Sequence, residues 1–363
     1  MSGERVRRAR REPTEPMAQI VYLEQALRVR RRNIAAVPAP RLRTWRPYTM
    51  FYVALVGLAG ALLADPGGSA RQLCGAWLVP TLGWVAGNYG ADHLDRGLED
   101  ATATPHRAIS SGRMRSVTGL VGMVVCTLTG GVLAVALNWR TWVLVTATLV
   151  GGVAYGAVLR TGGPAGNLVR GALTACAFLF GAMAVRPYPS PALLVVALVF
   201  LLHDTATNLV GALRDVDGDR RSGCRIFPVR QGAPATRVVV TVLCLLWLVT
   251  ASVTPLLWGG RAAHPAVFGG MLGVVGVLVV TAVLTLARAG GVVSPWRALR
   301  AHQLLTVERL VLACAFVGLA VGLPVALALL VPAGALSGLL SVQRDRPVNR
   351  RPGRVPRRTG LPV

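Results

Sequence analysis

The chain has no lysine at all. Its 363 residues carry 39 basic residues, every one an arginine, against 15 acidic ones, for a net charge of +24. Charged residues of both signs make up only 15% of the chain, well short of the roughly 25% usual for a soluble protein. Long polar stretches are missing from the interior, which excludes a separate soluble domain. The six cysteines form no CxxC pair, so neither a zinc site nor a redox motif is supported, and they read as small packing residues. No short apolar core follows the opening basic stretch, as a cleaved signal peptide would need.

What fills the chain instead is apolar. Hydrophobic residues make up 53% of it and the mean hydropathy is +0.54. Nine runs approach the roughly 20 residues needed to cross a bilayer. They fall at about 47–64, 73–90, 117–137, 140–159, 167–186, 190–213, 235–258, 265–288 and 309–333. The period-2 alternation of a barrel is absent, and only helices satisfy the backbone of such runs in lipid. The expected fold is therefore all-α, a polytopic bundle of about nine transmembrane helices over 47–333. Small residues, Gly57 with Gly60 and Gly151 with Gly152, are expected where helices approach closely. The basic ends, 1–46 and 334–363, are expected to be disordered.

Arginine sets the orientation. With the N-terminus inside, Arg96, Arg107, Arg113 and Arg115 follow the second span, Arg214, Arg220, Arg221, Arg225 and Arg230 the sixth, and Arg297 and Arg300 the eighth. The opposite loops hold little beyond Arg71, Arg140, Arg186 and Arg261. Residues 344–358 disagree, because nine spans send their seven arginines outside unless the segment with Pro332 and Gly334 turns back. The twelve arginines before residue 47 suit anionic headgroups. Nucleic acid is not expected as a partner, since aromatic interleaving and a reader module are lacking.

Two clusters of acids sit at the inner ends of spans. Asn88, Asp92, Asp95 and Glu99 follow offsets of 0, +4, +7 and +11, and Asn208, Ala212, Asp215 and Asp219 repeat them. That spacing puts each set on one helix face. Carboxylates gathered so repel one another unless a cation lies between them, and Mg²⁺ takes oxygen ligands while bridging to substrate phosphates. Calcium is excluded for the DxDxD run at Asp215, because an EF-hand loop would need Gly and Glu where Arg220 and Ile226 stand. Asp204 and Asn208 lie within the sixth span and should face a cavity rather than lipid. His203 reads as a polar neighbour lining the bundle.

These residues resemble the UbiA superfamily of intramembrane prenyltransferases. Asp92, Asp95 and Glu99 match the acids of a first signature, NDxxDxxxD, and PHRAISSGR, Pro105 to Arg113, matches the stretch after it. DVDGDRRSGCRIFPVRQG, Asp215 to Gly232, is similar to the family's second signature. Tyr155 with Leu159 and Arg160, and Trp45 to Pro47, add weaker likenesses. Ala91, Glu99 and Ala212 depart from the signatures, where Asn, Asp and Asp are usual.

The resemblance implies an enzyme that ionises an isoprenoid diphosphate and transfers the prenyl group to an acceptor. Asp92, Asp95, Asp215 and Asp219 would be catalytic, and with Glu99 they would hold two Mg²⁺ ions on the diphosphate. Asn88, Arg107, Arg113, Tyr155, Arg160, Asp204, Asn208, Arg220 and Arg225 would line the substrate. The ring of Tyr155 or Trp84 could face an allylic cation, but packing is the leading role for either. A membrane terpene cyclase needing no acceptor is the alternative, and a lipid or ion carrier a third reading. Carriers gather broken helices at mid-membrane, whereas these clusters sit at one face. The implied site faces the cytoplasm of the cell membrane, and the Ala, Gly, Val and Arg bias points to a GC-rich bacterial source.

Overall fold

The computed structural model describes residues 45, 47–94, 114–159, 161–221, 223–258, 263–288 and 293–345. They form ten helices and, among the described residues, no strand. The helices are α1 (Pro47–Ala64), α2 (Ala70–Leu94), α3 (Ser116–Leu137), α4 (Trp142–Ala154), α5 (Ala165–Val185), α6 (Pro191–Arg221), α7 (Phe227–Val253), α8 (Pro265–Ala287), α9 (Pro295–Val321) and α10 (Leu323–Asp345). A π-helical turn, Tyr155–Leu159, extends α4, and one-turn 3₁₀ segments flank α4 and α7.

The all-α membrane bundle stands, but the count of nine does not. Seven helices among the described residues are long and apolar enough to cross a membrane. Pro80 and a polar end lower the hydropathy of α2, and α1 is short. The last expected span also fails as drawn. Its apolar run over 309–333 is two helices, broken at Gly322 with φ +89°. A Cβ on Gly318 would lie 3.4 Å from that of Ala326, whereas eight residues of unbroken helix span about 12 Å. The chain therefore doubles back, and α10 packs along α9 and α1. The break falls at Gly322, not at Pro332 or Gly334, and helix runs on through 334–345, beyond the expected end of the bundle.

Burial sorts the helices into an inner and an outer set. In α9, α6 and α5, 78%, 67% and 56% of the apolar window is buried, against 11% for α3 and none for α4 with its flanking turns. α1 lies among α2, α5, α9 and α10. The α1–α5 seam is so close that a methyl on Gly181 would overlap the carbonyl oxygen of Gly57, and one on Gly60 that of Phe178. Gly151 makes only ordinary contacts and Gly152 faces open space, so the second expected close approach does not occur.

From α5 across the core, Phe178, Phe200, Phe316 and Phe268 meet in series at centroid distances of 5.1–5.4 Å. This aromatic column and the aliphatic side chains around it hold α5, α6, α8 and α9 in fixed register, so polar groups at their ends are placed on a rigid frame.

Candidate active site

The polar groups gather where α2 and α6 end and α5 begins, on the N-terminal side of the bundle. In the last turns of α2, Asn88 and Asp92 are 7% and 2% exposed. Asn88 donates Nδ2 to the carbonyl of Trp84 at 2.9 Å, which leaves Oδ1 as its acceptor. Trp45 donates Nε1 to the Tyr89 hydroxyl at 2.7 Å, so this tryptophan is pinned to α2 within a turn of Asp92.

Helix α5 joins the two acidic helices. Its Asn167, Arg170 and Thr174 recur at +3 and +7, which puts them on one face of an otherwise apolar span. Asn208 of α6 donates Nδ2 to Asn167 Oδ1 at 2.6 Å. The Arg170 guanidinium lies 4.3 Å over the Trp84 ring of α2. Thr174 donates its hydroxyl to Asp204, one turn below Asn208. None of these α5 residues was expected from the sequence; their helical spacing is the signal that could have found them. Trp84, read first as a packing residue, carries this guanidinium on its ring.

The second cluster lies on the last turns of α6. Asp215 is engaged at both oxygens by Arg214, at 2.8 and 2.6 Å. Asp219 lies one turn on, and its carbonyl accepts from the Cys224 amide at 2.9 Å, folding the following loop back. The Arg225 amide then donates to the carbonyl of Thr161 at 2.8 Å. The second signature is thereby tied to the turn after Tyr155, and Gly156 of that π-helical segment abuts Leu94 at the end of α2. Single π turns inside α-helices cluster at functional sites. The Arg220 guanidinium lies 3.8 Å from Asp217, with both side chains 62% exposed. Asp95, Glu99, Arg107, Arg113 and Arg160 lie outside the described residues.

Beneath the site is a second polar layer. His203 is 1% exposed, with Nε2 2.7 Å from Glu308 Oε2, Nδ1 3.4 Å from the Tyr52 hydroxyl and 3.7 Å from Asp204 Oδ1. Trp247 meets the imidazole edge-on, and the Arg309 guanidinium lies 4.8 Å over Tyr52. Glu308 is fully buried, and its Oε1 has no hydrogen-bond partner among the described residues. His203 thus lines the bundle as expected, but Glu308 and Arg309 were missed.

Oxygen donors of this kind suit a hard cation. Among the described residues no three or more acids, histidines or cysteines form a ready cage, and the expected ligands Asp95 and Glu99 lie outside those residues.

The family model of UbiA prenyltransferases matches residues 52–299. The chain belongs to the UbiA prenyltransferase family. Digeranylgeranylglyceryl phosphate synthase of Korarchaeum cryptofilum is 30% identical over 174 residues, which cover 48% of this chain and 61% of that one. The protein of that name from Methanopyrus kandleri is 29% identical over 275 residues, covering 75% and 95%. A solved digeranylgeranylglyceryl phosphate synthase superposes with TM-score 0.62 at 18% identity, over 78% of this chain and 98% of its own. A UbiA homologue from Archaeoglobus fulgidus, bound to GPP and Mg²⁺, gives 0.55 at 12%, over 84% and 98%. These two structures establish the shared fold. The expected bacterial source is corrected by the relatives, which are archaeal. A lysine-free, Ala/Gly/Val-rich chain reflects the base composition of its gene and does not distinguish bacteria from archaea.

Proposed function

We propose that this Mg²⁺-dependent prenyltransferase takes an isoprenoid diphosphate at the cytoplasmic end of its bundle and passes the prenyl group to the hydroxyl of a glyceryl phosphate that already carries one isoprenoid chain. The observation that carries the reading is the bridge of α5, where Asn167 holds Asn208 and Arg170 covers Trp84, so that the two acidic helices frame one site. The shared name of the archaeal relatives, one matched over 95% of its length, supports the acceptor class.

Asp92, with Asp95 and Glu99, would hold one Mg²⁺, and Asp215 with Asp219 a second. Bound there, the ions neutralise charge on the departing diphosphate. Arg225, placed by its bond to Thr161, supports a guanidinium fork on phosphate oxygens, and Arg107, Arg113 and Arg160 are candidates for the same task. The first turn of α5 directs the positive end of its helix dipole toward the same region. The apolar walls of α5, α6 and α9 exclude water from an allylic cation. Two further passes, α1 and α2, join the seven long spans, and α10 returns the chain to the inner side.

The test is a membrane fraction given geranylgeranyl diphosphate with and without Mg²⁺ and with and without geranylgeranylglyceryl phosphate. A doubly prenylated glyceryl phosphate formed only with Mg²⁺ and the acceptor upholds the proposal. A cyclic hydrocarbon formed without acceptor overturns it in favour of a terpene cyclase.

A further inference from the structure

Helix α8 ends at Ala287 and α9 begins at Pro295, on the side of the bundle that carries the acidic helices. Between these ends lies a cavity of about 280 Å³ lined by Thr285, Arg288, Trp296, Arg297 and Arg300. Three arginines from the two helix ends line it, and among the described residues no carboxylate does. Arg297 donates to the carbonyl of Arg288, which ties the first turn of α9 to the end of α8. The Arg300 guanidinium lies 5.2 Å from the centroid of Trp296, whose indole is 61% exposed.

A guanidinium at a helix end is ordinary for the inner face of a membrane protein. Three that line one pocket, with no acid beside them among the described residues, form a concentrated positive site. An exposed indole marks the depth of the lipid headgroups. Directly along α8 from the pocket, Leu284, Val280 and Val277 are 46%, 54% and 67% exposed and lie on one helix face. A polar head with an apolar track beneath it has the shape of a lipid.

We propose that this pocket binds the phosphate of an anionic membrane lipid, with the lipid chain lying on the Leu284–Val280–Val277 face. Arg288 and Arg300 present forked donors to the phosphate oxygens, and Arg297 holds the two helix ends at the spacing the headgroup needs. The pocket is lined by none of the residues placed in the prenyl-transfer site, and the proposal does not depend on that reading.

The test is native mass spectrometry of the purified protein with phosphatidylglycerol or phosphatidylcholine. Retention of phosphatidylglycerol, with about tenfold weaker binding in Arg288→Gln/Arg300→Gln, upholds the site. That variant leaves the Arg297 tie in place, and a thermal melt checks its fold. Should it not fold, Arg300→Gln alone is read through the quenching of Trp296 by a brominated phosphatidylglycerol, and loss of that quenching at equal lipid upholds the site. Equal retention of the two lipids, or unchanged binding in the variants, overturns it. So does displacement of the lipid by millimolar glycerol phosphate, which would make the pocket a site for free phosphate.

Discussion

Asn208 and Asn167 meet side chain to side chain at 2.6 Å, and through them the helix carrying Asp215 and Asp219 is set against the start of α5. Neither residue bears charge, so their role is to place groups that do. Replacing Asn167 by Leu should lower prenyl transfer by about 100-fold, as small misplacements of a reacting group do. Stability should fall by only about 1 kcal/mol, the worth of one hydrogen bond. Initial rates with a radiolabelled diphosphate, beside a thermal melt, separate the two effects. A loss of folding in step with activity would contradict the positioning role.

Arg214 occupies both oxygens of Asp215, the carboxylate proposed to hold an ion. An ion must displace or share that partner. Arg214→Gln should therefore lower the Mg²⁺ concentration needed for half-maximal activity. A Mg²⁺ titration at fixed substrate reads the shift, and an upward shift would count against Asp215 as a ligand. Asp219→Ala and Asp92→Ala should abolish turnover while the protein still inserts into membranes, and full turnover by either would remove it from the metal site.

His203 and Glu308 face each other in a layer where neither is more than 1% exposed. Breaking such a pair leaves a polar group buried without its partner. His203→Leu or Glu308→Leu alone should cost about 3–5 kcal/mol, whereas the double leucine variant should recover most of it. Unfolding midpoints of the four proteins in detergent make the cycle, and simple additivity would show that the pair does not act as a unit.

The α1–α5 seam gives the sharpest steric expectation. A methyl on Gly181 overlaps the Gly57 carbonyl, so Gly181→Ala should destabilise by about 1–3 kcal/mol or more, while Gly152→Ala, facing open space, should leave stability unchanged. Size-exclusion profiles of the two variants distinguish these outcomes.

Much of the fold was legible because a membrane span announces itself by length and composition. Eight of the expected runs coincide with helices, and the second signature occupies the end of α6 where its acids were placed. The failures have physical causes. Hydropathy averaged over a window registers apolarity but not direction, so the turn at Gly322 vanished inside one apolar run. Glu308 and Arg309 sit in the body of α9 but fell at the edge of the expected span, one just outside it and one at its first residue, because ions settled by internal partners look the same in sequence as ions in water. Asn167 and Arg170 were overlooked because a few polar residues hardly change the mean hydropathy of a span. Their spacing, +3 and +7 to Thr174, was visible and went unused.

The reversal at Gly322 decides on which side of the bundle the chain emerges. With α10 returning along α9 and α1, it ends at Asp345 on the side where α1 begins at Pro47. Among the described residues Arg115, Arg225, Arg230, Arg297 and Arg300 also stand at helix ends on that side, so positive charge gathers beside the proposed site. A field of that sign raises the local concentration of anionic substrate and fades as salt is added. Capture of substrate, rather than the chemistry that follows, is the step in which ionic strength should be felt.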